Sequence, residues 1–208
     1  LWHNYLTFFL MMSENPFSMT CEKVGASEGS VNTLVENDFR IFKALFDYDF
    51  GPIERDLGIN CFSQISNYKA IHKKDLMYNK NVSEKVRALS KKLEAAKDEK
   101  EFFDAITGFY KDYGVGMFGL NKAFRIDDTP QGSFTFRAIN NMDTVMLDDL
   151  VGYEIQKKKL VDNTEAFVQG KKANNVLLFG DSGTGKSTSI KAIVNQYYKD
   201  GLRMIEIY

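Results

Sequence analysis

The stretch "GDSGTGKS", residues 180–187, constrains this chain more than any other, because it fits G-x-x-x-x-G-K-[ST] at every fixed position. Gly180, Gly183 and Gly185 carry no Cβ, so the backbone can curl around an anion. The successive N–H groups of such a curl, those of Asp181, Ser182 and Thr184 included, point inward as a nest for phosphate oxygens. A helix predicted to start near Gly185 aims its positive end at the same place. Lys186 adds a full charge for the β- and γ-phosphates of a nucleotide, and the Ser187 hydroxyl is a hard oxygen ligand suited to Mg²⁺. With glycine near 7% of residues, a chance match in a chain this long is on the order of 1%.

The flanks have the expected pattern. Residues 176–179, "VLLF", read as a short buried strand, residues 187–198 as a helix and residues 202–207 as a second strand. Strand, crossover helix, strand is the start of a parallel sheet, so this part reads as α/β. Ahead of it, residues 153–168 place Leu160, Val161, Thr164, Phe167 and Val168 on one helical face, with Gly170 as a stop.

The first part of the chain has a different pattern. Residues 31–46 and 82–96 are amphipathic helices, the second with Val82, Val86, Leu89, Leu93 and Ala96 on one stripe. Phe102, Phe103, Ile106, Phe109, Tyr110 and Tyr113 mark a third. The phenylalanines of this part, Phe8, Phe9, Phe39, Phe42 and Phe46 among them, are read as mostly core. "AFRIDDTPQGSFTFRAI" alternates on both sides of a Pro-Gln-Gly turn and predicts a β-hairpin near 123–139. The pattern changes near residue 143, which predicts a mainly helical domain over 1–143 and the nucleotide-type domain over 144–208.

A length of 208 residues suits one or two domains. A net charge of -1 leaves no electrostatic footprint for nucleic acid or an anionic membrane. The apolar start "LWHNYLTFFLMM" is too short to span a bilayer and lacks the basic region of a signal peptide, so it is expected to pack as a helix or strand. It has no initiator Met, which suggests a trimmed start. Cys21 and Cys61 have no metal-ligand spacing and read as free thiols of a reducing cytoplasm.

Four other features are weighed and set aside. "GVGMFG", residues 114–119, follows a helix, the wrong order for a dinucleotide fingerprint, and reads as a flexible turn or tight packing site. "VMLDDL", residues 145–150, has the look of a Walker B strand but precedes the phosphate loop, so Asp148 and Asp149 are read as caps for the helix near Tyr153. Residues 69–92 hold eight Lys or Arg against two acids and read as a solvated helical face, as do Lys157, Lys158 and Lys159. His3 and His72 have no partner nearby in sequence and receive no role.

"LDDLVGYEIQKKKLVDNTEAFVQGKKANNVLLFGDSGTGKSTSIKAIVNQY" resembles the start of an AAA+ P-loop ATPase module. More narrowly it is similar to an uncharacterised bacterial AAA+ family, the domain of unknown function numbered eight hundred and fifteen. "NPFSMTCEKVGA" and "YGVGMFGLNKAFRID" resemble that family's N-terminal region. The resemblance implies a P-loop fold cut after its second strand, with 21 residues following Ser187, and preceded by a helical domain with a hairpin. It implies ATP or ADP as ligand, with Lys186, Ser187 and Thr188 at the phosphates and Mg²⁺, and with Val151, Gly152 and Ile155 along the adenine. It implies a cytoplasmic protein that acts on a protein partner and leaves room for a homo-oligomer. The Walker B acids, sensors and arginine finger of that family come later than Tyr208, so this chain is expected to bind nucleotide weakly or not at all, and not to turn it over. Two other readings stand beside it: a helical interaction domain with a vestigial or regulatory nucleotide site, and a relative of DNA-loading ATPases.

Overall fold

The computed structural model describes residues 1–26, 29–68, 79–130, 132–140 and 142–207. The chain divides into two compact units, Leu1–Leu120 and Asn121–Tyr208. The division falls ahead of the hairpin, whereas the sequence pattern changes after it, near residue 143. The reason is pairing: the hairpin's first strand bonds to a strand close to the end of the second unit.

The first unit is helical: α1 (Trp2–Met12), α2 (Pro16–Val24), α3 (Ser30–Phe46), α4 (Gly51–Leu57), α5 (Cys61–Ser66), α6 (Lys80–Ala95), α7 (Glu99–Tyr113) and α8 (Gly116–Leu120). Local chemistry sets several of the boundaries. Asn15 Oδ1 accepts from the Ser18 N–H at 3.0 Å, Ser18 Oγ accepts from the Asn15 N–H, and Pro16 occupies the first turn, so α2 opens with a reciprocal cap. Asp98 Oδ1 accepts from the Glu101 N–H at 2.8 Å and opens α7, whose first-turn acids suit the helix dipole.

The apolar stripes of these helices meet in one cluster that includes Leu10, Phe39, Phe46, Leu93, Phe102 and Ile106. Phe102 is fully buried, edge-on to Phe46 at 5.6 Å and tilted against Phe39 at 6.3 Å. The stripe read over residues 82–96 is the buried face of α6, with Val86, Leu89 and Leu93 inside. Phe8 and Phe9 differ from the core reading: both are exposed, because α1 turns Leu6, Leu10 and Met11 inward instead. His3 does have partners, distant ones in sequence: Nε2 lies 2.7 Å from the Phe46 carbonyl, and the ring stacks on Phe46 at 4.1 Å. Cys21 is buried, Cys61 is exposed, and both are free. Residues 69–78 of the basic stretch 69–92, His72 among them, lie outside the described residues, and the rest of it falls largely in α6.

"GVGMFG" is a tight packing site. Gly114 and Gly116 have φ of +85° and +70°, and a Cβ on Gly119 would collide with the Gly114 carbonyl. Glu22 holds this turn by accepting the Val115 N–H at 3.1 Å. No helix among the described residues is long and apolar enough to cross a membrane.

The second unit carries a three-stranded mixed sheet in the order β2-β1-β3, built from β1 (Ala123–Asp128), β2 (Phe134–Ala138) and β3 (Met204–Glu206). The hairpin forms as read, β1 antiparallel to β2 with Phe124 opposite Ala138, turning through Gly132 at φ +74°. β3 runs parallel to β1, with Phe124 opposite Ile205. α9 (Glu154–Val168) and α10 (Lys186–Tyr197) complete the unit, with a 3₁₀ turn at Leu147–Asp149. Leu147, Leu160, Ala192, Ile193 and Tyr197 form its core.

Five expectations need correction here. Residues 176–179 form no strand: Leu177 and Phe179 are exposed, and the segment is tied to α9 only upstream, by the mutual Asn163–Asn174 bonds at 2.8 and 2.9 Å. An apolar run becomes a strand only beside a partner, and no strand pairs with it among the described residues. The parallel pair is therefore β1 with β3, not two strands flanking α10. Asp149 does not cap the Tyr153 helix; it accepts the Met146 N–H at 2.7 Å and closes its own turn. Phe167 is exposed although it lies two turns beyond Leu160 on the same stripe, since the buried part of α9 is at Leu160 and Thr164 and Phe167 falls in its last turn. Lys157 is not a solvated side chain, for its Nζ donates to the Leu150 carbonyl at 2.8 Å.

Tyr197 joins the two helices of this unit. Its hydroxyl donates to Glu165 Oε1 at 2.8 Å. Burial, with the Glu165 carboxylate adding to it, pushes the phenol up to about 12 from its usual value near 10. A pKa raised by folding stabilises the fold below the unfolded value and loses that contribution as pH rises through the folded one. The midpoint of thermal unfolding is therefore expected to fall more steeply between about pH 10 and 12 in the native chain than in a Tyr197→Phe variant. Parallel curves for the two proteins would refute this.

Candidate functional site

Residues 180–185 form a loop that delivers the chain into α10, whose first residues are Lys186, Ser187 and Thr188. Gly180, Gly183 and Gly185 sit at φ of +142°, +81° and +82°, a region L side chains rarely adopt. Nothing lies within 4 Å of a Cβ built on Gly183, so backbone conformation, not space, calls for glycine there. No side chain caps the start of α10, which leaves the helix's positive end open toward the loop.

Lys186 curls back over this loop. Its Nζ donates to the Gly180 carbonyl at 2.9 Å and the Asp181 carbonyl at 2.6 Å, with Thr184 Oγ1 at 3.4 Å. Thr184 Oγ1 in turn donates to the Asp181 carbonyl at 2.9 Å. The loop is thus closed on itself with its ammonium inside the curl. Asp181, Ser182 and Ser187 are exposed, and Thr188 lies in the first turn of α10, half-buried. This donor set fits a nucleotide polyphosphate: turned backbone N–H groups, one ammonium, and a hydroxyl at the helix start able to bind a hard cation.

The segment assigned to the base approaches the loop through Leu150. Leu150 Cδ2 is 3.9 Å from where a Cβ on Gly185 would stand. Immediately after it, Val151 is 95% exposed, Gly152 turns at φ +84°, and Ile155 is 71% exposed. Tyr153, at φ +58°, is the one positive-φ residue other than glycine among the described residues. Two consecutive left-handed residues, Gly152 and Tyr153, turn the chain here and leave Val151 and Ile155 exposed as an apolar ledge that follows Leu150.

The chain just ahead of this ledge is held by residues far from it in sequence. Asn195 Nδ2 donates to the Asp143 carbonyl at 2.7 Å and the Val145 carbonyl at 2.9 Å. Lys191 Nζ meets Asp143 Oδ2 at 2.6 Å. Lys122 Nζ donates to Asn195 Oδ1 at 2.9 Å, and burial, with the Arg203 charge adding to it, pulls this ammonium below the ordinary lysine range. The one available signal was that Asn195 lies three residues after Ala192, on the buried side of α10, where an amide needs partners.

Residues 120–208 match the model of a family described as protein of unknown function (DUF815). A 58-residue stretch is 40% identical to the replication factor C large subunit of Methanococcus vannielii; it makes up 28% of this chain and 12% of that protein. No solved structure matches. These findings fit the AAA+-like family resemblance drawn from the sequence.

Proposed function

We propose that this chain binds Mg-ATP, with the β- and γ-phosphates at residues 180–188 and the adenine against Val151 and Gly152. The observation that carries the reading is the loop itself: three positive-φ glycines curled around the Lys186 ammonium at an uncapped helix start. Gly180 to Lys186 would hold the phosphates, Ser187 would ligate Mg²⁺, and Thr188 would add a hydroxyl at the same helix turn. When bound, the metal would neutralise phosphate charge and orient the terminal phosphoryl group. The fold is then of P-loop type. In the whole protein the nucleotide cycle would remodel a protein partner in the cytoplasm, with self-association as in AAA+ machines.

The test is calorimetric titration of Mg-ATP into the 208-residue chain, with Ser187→Ala beside it. Saturable binding that weakens in the variant only when Mg²⁺ is present supports the reading. Absence of binding by the native chain contradicts it.

A second reading is favoured by one finding, the match to a protein named as a replication factor. On it the chain is a relative of DNA-loading ATPases, and duplex DNA should bind with an affinity that falls steeply as salt rises. DNA binding that salt leaves unchanged, or none, removes this reading.

A further inference from the structure

We infer that Asn195 is a positioning residue for the base side of the nucleotide site, clasping residues 143–145 to α10 and thereby fixing where the ledge at Leu150–Ile155 stands beside the phosphate loop. The inference rests on the ATP-binding reading above.

The direction of the amide follows from donor chemistry. A lysine ammonium can only donate, so the Asn195 oxygen must face Lys122 and the NH₂ must face the two carbonyls. All three contacts are satisfied at 2.7–2.9 Å. The Lys191–Asp143 pair adds a second tie one helical turn earlier.

From this clasp the chain reaches the ledge through hydrogen-bonded backbone. Asp149 accepts the Met146 N–H, the Leu150 N–H donates to the Leu147 carbonyl at 3.2 Å, and Leu147 is buried. Leu150 then lies against Gly185. α10 therefore carries both halves of the site, the phosphate loop at its first turn and the clasp in its last. The phosphate half depends on the loop's own backbone and on Lys186. The base half depends on Asn195. A purine has a flat apolar face, and Val151 and Ile155 are exposed apolar side chains that follow Leu150 on this ledge.

Asn195→Asp separates the two halves. It keeps the size and the contact with Lys122 but turns a carboxylate oxygen toward two carbonyls. In the full 208-residue chain, calorimetry with Mg-ATP and with Mg-tripolyphosphate should show ATP weakened roughly tenfold by Asn195→Asp and tripolyphosphate changed by less than about twofold. Lys191→Met should weaken ATP in the same direction by less. Retained tripolyphosphate binding also shows that the variant is folded. Equal weakening of both ligands would make Asn195 a structural residue of α10 and overturn the inference, as would an unchanged affinity for ATP. A native chain that binds tripolyphosphate as tightly as ATP has no base contact, which overturns the inference and leaves the phosphate loop standing. A native chain that binds neither removes the ATP reading and the inference together.

Discussion

Lys186→Ala is expected to weaken Mg-ATP binding by about 100-fold or more, equivalent to about 2.7 kcal/mol at room temperature. The Lys186 ammonium is the cation held within the curl of the loop, and it sits on two carbonyls that the polyphosphate would replace as partners. Charge-assisted bonds to phosphate are among the stronger single interactions available to a protein, and alanine removes both the charge and the donors. Stability should move by less than about 1 kcal/mol, because the bonds that Lys186 makes are exposed ones within a loop. Equilibrium binding and thermal unfolding, measured on the same two proteins, check both halves. A variant that binds ATP as the native chain does would place the phosphates elsewhere. A variant that unfolds early would make Lys186 a structural tie.

Phe102→Ala is expected to have the largest effect on stability. The ring is fully buried at the meeting of α3 and α7, with Phe39 and Phe46 both against it. Removing it takes away the transfer free energy of a phenyl group and leaves a cavity that three helices cannot fully close. Such truncations cost about 3–5 kcal/mol. For a unit of this size that is a large part of the total stability. Chemical denaturation followed by far-ultraviolet dichroism measures it. A loss under about 1 kcal/mol would show that the aromatic cluster is not the centre of the first unit's core.

Much of the helical architecture could be read from spacing. The stripes over 31–46 and 82–96 became α3 and α6 because four-residue apolar spacing has one good solution, and the hairpin formed because alternation met a Pro-Gln-Gly turn. The turn conformations of residues 180–185 were equally legible, since glycines at fixed offsets report backbone conformations directly. Long-range pairing was not. The run 176–179 has strand composition, but composition does not supply a neighbour, and β1 takes β3 instead. The same limit hid the clasp. Asn195 meets carbonyls 50 and 52 residues away, and His3 meets Phe46 across 43. No local pattern encodes such contacts; a polar residue on a buried helical stripe is the only trace they leave. Phe8 and Phe9 show the converse, aromatics whose type suggests core and whose helical phase points them outward.

The most direct test of the central claim is an amide ¹H–¹⁵N spectrum of the chain, titrated with Mg-ATP. The account expects the backbone amides of residues 182–188 to move first and furthest, since their N–H groups would become the phosphate donors, with Val151 and Gly152 following. Shifts confined to other residues, or none at millimolar ATP, would contradict it.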